Sequence, residues 1–338
     1  LANVFNALAN VAQVSSDYET MSVLLERSFA IFQMERNEPG MAKVLNNLGN
    51  AYRLNQEYNK ALATYRRALV LHQTQRNKLK AAHTQLNMAR ALVSLEQPKK
   101  AQVLLESLIS TFSNIGAIQR QIEAHGVLAS IFNGNSKLED AERQVQKIQS
   151  LKLQVDNNYF DPGSELACAE FYRLTQQFQQ TEDILLKGLE KTTEQKNILQ
   201  QERYLKALAI FYAEQGKHTE ATHYWKSHST MLTKRLENKQ AAFSELAPVI
   251  AYIESTNNQL GDNHVFGKAQ WVWLVMLLVL CFLAVLSWKI YKKRQLLNLS
   301  MPLPSEIQTS SLTVIKPDSS NSPSDKTLQE KRSQLVEL

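Results

Sequence analysis

The chain has 338 residues, 44% of them hydrophobic and 8% aromatic, with 10 Gly, 8 Pro and 2 Cys. That composition supplies a sizeable apolar core; it excludes a collagen-like or wholly disordered chain, and two Cys cannot staple this length as a disulfide scaffold. The formal net charge of +6 is unevenly placed: Leu1 to Gly267 hold 29 basic and 27 acidic residues, Lys268 adds one cation, and Lys289, Lys292, Lys293 and Arg294 add four. The last 44 residues hold 4 basic and 5 acidic ones, so the excess reports one local cluster rather than a basic surface made for nucleic acid.

From the first residue onward the sequence repeats with a step of 40. One column reads Leu8, Leu48, Met88, Leu128, Cys168, Leu208, and the next Ala9, Gly49, Ala89, Ala129, Ala169, Ala209. A third reads Ala12, Tyr52, Leu92, Phe132, Tyr172, Tyr212. Gly and Ala together are 41 of 338 residues, so six of six small residues arise by chance with odds on the order of one in 10,000 even after all 40 phases are allowed. Further along each repeat come Met21, Ala61, Ala101, Ala141, Thr181, Ala221, and then Leu25, Tyr65, Leu105, Val145, Leu185, Trp225. Small residues let two helices approach, and the apolar residues at spacings of 3 and 4 around them form a stripe on each helix.

Turn signals divide the repeats. Ser15-Ser16-Asp17, Asn55-Gln56-Glu57, Gly134-Asn135-Ser136 and Gln215-Gly216-Lys217 separate a first helix from a second. Pro98 starts a second helix, while Pro39-Gly40 and Pro162-Gly163 read as breaks between repeats. No stretch alternates with period 2 between hairpin turns, so no sheet is expected.

The second repeat, with Leu48-Gly49-Asn50-Ala51-Tyr52 followed by Ala61, Tyr65 and Ala68, resembles the tetratricopeptide repeat, and Leu208 to Trp225 fits nearly as well. The period is 40 rather than 34, which reads as a lengthened second helix or linker. The resemblance spans roughly residues 2–241 and implies an all-α fold, a right-handed superhelical solenoid of six 40-residue helix–turn–helix repeats. Longer repeats of this kind are similar to those of bacterial regulatory proteins. The resemblance also implies that the second, fifth, ninth and twelfth residues of each repeat line a concave wall. Those are Asn3, Asn6, Asn10 and Gln13, then Lys43, Asn46, Asn50 and Arg53, then His83, Leu86, Arg90 and Val93. Asn can both donate to and accept from a peptide backbone, and Lys43, Arg53 and Arg90 suit a carboxylate. A peptide groove is therefore expected in repeats one to three, with Asn6, Asn10, Lys43, Asn46, Asn50, Arg53, His83 and Arg90 as its contact residues; Gly126, Leu166, Ile210 and Ala213 make the later wall less polar.

No catalytic site is expected. There is no Gly-rich phosphate loop and no activated Ser or Cys motif, and no cofactor is implied. His218, His223 and His228 are spaced by 5, about 140° apart on a helix, which does not suit a metal.

Residues 232–257 read as one more helix, with Leu236, Phe243, Leu246, Ile250 and Ile253 in a seven-residue rhythm. It either caps the last repeat or forms a short coiled coil that pairs two copies of the chain, with Pro248 opposing a long coil. A linker is expected over 258–268. Residues 269–288 then run for 20 positions without a charge, the length of a membrane-spanning helix, with Trp271 and Trp273 at one end and Trp288 and Tyr291 at the other. The basic segment 289–299 sets the orientation: tail in the cytoplasm, solenoid across the cell membrane and periplasmic if the protein is bacterial, with a signal peptide expected upstream of Leu1. Residues 300–338 begin with 8 Ser and 4 Pro in 27 positions and read as a disordered tail. The expected function is that of a single-pass membrane scaffold binding a protein or peptide; the alternative is a signal transducer whose output domain is missing or supplied by a partner.

Overall fold

The computed structural model describes residues 1–156 and 158–262, all of one compact unit. Among the described residues there are twelve α-helices and no strand. They are α1 (Ala2–Val14), α2 (Tyr18–Met34), α3 (Glu38–Leu54), α4 (Tyr58–Thr74), α5 (Lys78–Ser94), α6 (Pro98–Asn114), α7 (Ile118–Gly134), α8 (Leu138–Lys152), α9 (Pro162–Leu174), α10 (Phe178–Glu194), α11 (Ile198–Glu214) and α12 (His218–Asp262). Each helix packs chiefly on its neighbours in sequence, as in a solenoid.

The cadence is finer than the 40-residue repeat. Most helices are 17 residues long and are joined by three-residue turns, so a new helix begins every 20 residues. The extra length over a 34-residue repeat is therefore shared by both helices, not placed in the second helix or linker. Every regular turn is built alike. Its middle residue is left-handed, at Ser16, Arg36, Gln56, Arg76, Glu96, Gly116, Ser136, Gln176, Lys196 and Gly216. The next residue's N–H donates back to the carbonyl five positions earlier, as from Glu57 to Tyr52 at 2.8 Å and from Lys137 to Phe132 at 2.9 Å. Asp17, Asn37, Asn77, Asp161 and Asn197 then cap the following helix by accepting from a first-turn N–H. Pro39 and Pro162 lie within the first turn of a helix, not between repeats, because that turn has no use for a proline N–H.

One place breaks the rhythm. A 20-residue step would start α9 near residue 158, but Pro162 would then sit inside the helix, without its N–H and with its ring against the preceding turn. The helix starts at Pro162 instead, and residues 153–156 and 158–161 are irregular.

The core follows the sequence columns. Ala9, Ala89, Ala129, Ala169 and Ala209 are buried, and at Gly49 the ring of Tyr65 from α4 lies where a Cβ would be. Gly188 meets Tyr204 in the same way. Ala82, Leu86, Leu105, Phe112, Ile122, Leu128, Phe132 and Val145 form a continuous cluster through the middle repeats. In the last repeat Trp225 is 41% exposed, with no further helix pair to cover it among the described residues.

The C-terminal helix departs from expectation. The second helix of the sixth repeat and the 232–257 segment are one continuous helix that includes Pro248 and runs on to Asp262, so residues 258–262 are helical rather than linker. Its distal half does not merely cap the last repeat: it reaches the first, with Lys239 Nζ 3.9 Å from Asp17 Oδ1 and 3.8 Å from Glu19 Oε2. Leu246 and Ile253, each 2% exposed, are buried within the chain, while Leu236 and Phe243 stay exposed at 61% and 59%. Among the described residues no helix is long and apolar enough to cross a membrane. The remainder of the linker, the apolar stretch 269–288, the basic segment and the tail lie outside the described residues.

Candidate binding groove

The first helices of the repeats carry the expected wall residues, and their neighbours decide what each can do. In α1, Asn3, Asn10 and Gln13 are exposed, whereas Asn6 is buried and accepts from Asn47 Nδ2 at 3.3 Å. In α3, Lys43 is exposed and makes no hydrogen bond or ion pair among the described residues. Asn46 Oδ1 lies 3.2 Å from the Thr84 hydroxyl and 3.5 Å from Asn87 Nδ2, and Asn50 Oδ1 accepts from the Tyr65 hydroxyl at 2.7 Å. The Arg53 guanidinium sits by that tyrosine with its Nε buried and without an acceptor.

In α5 the wall turns cationic and then neutralises itself. Arg90 donates to Asn87 Oδ1 at 3.3 Å and to Glu123 Oε2 at 3.0 Å, and Glu123 also takes Arg120 at 2.5 Å. His83 is half-buried; desolvation, helped by Arg120 and Arg90, holds its pKa down to about 4, so it is an uncharged donor or acceptor at neutral pH. Leu86 is not a wall residue at all. It is fully buried in the core cluster, because the fifth position of this repeat turns toward α6 and α7.

Arg203 on α11 has its pKa lowered, first by desolvation and further by repulsion from Arg53 and Arg90, with Tyr204 and Asp161 opposing. The loop before α9 spans the space between α7 and α11. Tyr159, from the irregular loop, reaches into the same space: its hydroxyl donates to the Gln119 carbonyl at 3.1 Å, and burial raises its pKa, with Asp161 and Glu123 adding to the rise. Phe160 beside it stacks on Tyr204 with ring centres 6.3 Å apart.

Beyond that loop, α9, α10 and α11 enclose a cleft of about 350 Å³. Leu166, Leu185, Ala207 and Ile210 form its apolar lining, and Glu170, Arg173, Arg203 and Lys206 its polar edge. Arg173 is held by Glu170 at 2.7 Å and Glu214 at 2.6 Å. Arg203 has only the Gln200 side-chain carbonyl, at 3.1 Å, and Lys206 makes no hydrogen bond or ion pair among the described residues. These residues were legible: the 40-residue step that runs through Asn3 and Lys43 ends on Arg203, and the one through Asn6 and Asn46 ends on Lys206. Thr84, Asn87 and Arg120 have no such signal, because only packing brings them to the wall.

Nothing in this geometry points to catalysis. Cys168 is buried and its thiol is pushed up to about 12 by burial, and among the described residues no group of three or more His, Cys, Asp or Glu side chains could hold a metal ion.

The sequence model of the tetratricopeptide repeat matches residues 1–74 and 40–114. These are tetratricopeptide repeats. Three solved structures are similar to the chain in fold. A Rap protein complexed with Competence and Sporulation Factor has a TM-score of 0.56 at 13% identity, over 70% of this chain and 65% of that one. The apo form of RapI scores 0.55 at 14% identity, over 70% and 84%. Aspartyl phosphate phosphatase F from Bacillus subtilis scores 0.54 at 12% identity, over 68% and 59%. Likeness at such identities establishes the fold alone, and the chain spans less than two thirds of two of these proteins. No protein of curated function matches the sequence.

Proposed function

We propose that this chain is a protein-interaction scaffold that holds a peptide or protein segment in the concave face of its tetratricopeptide solenoid. The observation that carries the reading is the row of amides and cations on the first helices, with the loop before α9 joining α7 to α11 through Tyr159 and Phe160. A concave face lined by amides and cations over an apolar floor is suited to a polypeptide, which presents carbonyls, carboxylates and side chains together. A Rap protein of this fold is seen in complex with a factor, which supports the same use of the solenoid here. Asn10, Lys43 and Arg53 offer the hydrogen-bonding capacity on the N-terminal side; Asn6, Asn46 and Asn50 offer what their internal partners leave free.

In the same reading, residues 269–288 anchor the scaffold in a membrane, with the basic cluster from Lys289 to Arg294 on the cytoplasmic side and the solenoid on the other. A reporter active only outside the cytoplasm, fused before Lys268, is expected to be active and the same reporter at the C-terminus silent; the reverse pattern inverts the topology.

The scaffold reading is tested by photo-crosslinking. A crosslinking amino acid replacing Asn10 or Asn50 should capture a discrete polypeptide, and one replacing Ser107, exposed on a second helix, should not. Equal capture at both faces sinks the reading. Replacing Asn46, Asn50 and Arg53 together by Ala should reduce recovery of the captured partner.

A further inference from the structure

We propose that the distal half of α12 is a strap that ties the last repeat to the first and so fixes how far the concave face is open. This adds a means of regulation to the scaffold reading and rests on that reading for its use, although the tie itself is tested without a ligand. The observation is a pair of cations one turn apart on α12. Arg235 Nη1 lies 3.0 Å from Glu202 Oε2 on α11, in repeat six. Four residues on, Lys239 Nζ lies 3.9 Å from Asp17 Oδ1 and 3.8 Å from Glu19 Oε2, in repeat one. Residues four apart share one face of a helix, so a single face of α12 holds both ends of the solenoid.

The tie matters because of how a solenoid is built. Each repeat packs chiefly on its neighbours, so small rotations at successive interfaces add up and leave the two ends independent of each other. A contact between the first repeat and the last closes that series of rotations and holds the pitch. The seat of the strap is matched in charge. On the α2 side of the groove Asp17 and Glu19 outnumber Arg27, which has partners of its own, and Lys239 on α12 balances them. Leu246 is buried beside these residues, and Ile253 is buried one heptad further on. The seat is also incomplete. A groove of about 840 Å³ runs between α2 and α12, and in it Val23, Leu236 and Phe243 remain 40%, 61% and 59% exposed. Pro248, in the middle of the seated segment, removes one of the helix's own hydrogen bonds there. Long, half-exposed ion pairs, two buried side chains and a gap make a contact that opens at low cost, as a switching element must.

The experiment uses the full chain in detergent micelles. Hydrogen exchange of backbone amides is read in residues 240–253 of α12, in α1 and α2, and in α11. Lys239→Glu leaves the groove three acids against Arg27; it should speed exchange about three- to tenfold in the α12 segment and in the first repeat, and leave α11 unchanged. Adding Glu19→Lys restores the charge match and should return exchange toward the parent. Leu246→Gln, which weakens the apolar seat, should reproduce the loosening with no change of charge. The opening is read separately by double electron–electron resonance between spin labels on Val14→Cys and Glu194→Cys, exposed positions in repeats one and five, in a Cys168→Ala and Cys281→Ala background. Lys239→Glu should broaden that distance distribution, and Glu19→Lys should narrow it again. The proposal is overturned if Lys239→Glu leaves exchange in the α12 segment unchanged. It is equally overturned if that segment loosens while the first repeat and the Val14–Glu194 distance stay as in the parent, which makes α12 a cap on the last repeat alone. Neither result touches the scaffold reading, which crosslinking at Asn50 decides by itself.

Discussion

The two ends of the concave wall use their polar residues differently. In repeats one to three the amides bond to one another and to their neighbours: Asn6 to Asn47, Asn46 to Thr84 and Asn87, Asn50 to Tyr65. In repeat six Arg203 and Lys206 have almost nothing to bond to. A side chain engaged in the structure contributes to stability and has less capacity left for a ligand; an unengaged one contributes little to stability and has all of it free. Position in the repeat tells which wall a residue is on, and partnership tells whether it is available.

That contrast can be broken by mutation. The largest effect is expected at Gly49→Ala, because the added methyl runs into the Tyr65 ring that also holds Asn50; a loss of about 1–3 kcal/mol in chemical denaturation is expected, against no loss at Gly134→Ala, where nothing lies within 4 Å. Tyr65→Phe removes only the hydroxyl bonded to Asn50 and should cost about 1 kcal/mol. His83 comes next. Its folded pKa is about 4 against an ordinary 6.5, so above pH 6.5 both states are neutral and nothing is lost. As the pH falls from 6.5 toward 4 the unfolded chain takes up a proton that the folded one refuses, and stability declines by on the order of 1 kcal/mol, allowing for partial solvent exposure. His83→Gln should flatten that part of the pH profile relative to the parent. Arg203→Ala with Lys206→Ala should change stability least, within about 0.5 kcal/mol, since neither cation makes an ion pair among the described residues. If that last pair proves as costly as Tyr65→Phe, the distinction between the two ends collapses.

Much of the architecture was legible in the sequence. The column of Ala9, Gly49, Ala89, Ala129, Ala169 and Ala209 needs small residues because two helices touch there, and a contact repeated in space repeats in the chain. The turn at Asn55-Gln56-Glu57 could be read for the same local reason. The helical stretch from Leu232 was read as well, yet its merger with the preceding helix was not, since the 40-residue columns stop with the sixth repeat and only contacts with α11 and the first repeat hold the long helix together. The irregular loop before Pro162 was seen as a break but not as a wedge carrying Tyr159 into the space between α7 and α11.

The candidate site divides along the same line. Asn46, Asn50, Arg53, His83 and Arg90 were expected on the wall because the resemblance to the tetratricopeptide repeat implies its lining positions, and the 40-residue step carries those positions along the chain. Whether each was spoken for depended on Thr84, Asn87, Glu123 and Tyr65, which come from other helices and obey no column. Leu86 shows the limit most sharply: it shares its column with Asn6 and Asn46 and is nonetheless core. The sequence by itself determined a solenoid of 40-residue helical pairs and its stacking contacts, consequences of local geometry repeated along the chain. Only the tertiary structure decided which inner-face groups neutralise one another, that α12 reaches the first repeat, and that two cations in the last repeat stand over an apolar cleft, because those outcomes depend on contacts between helices far apart in the chain.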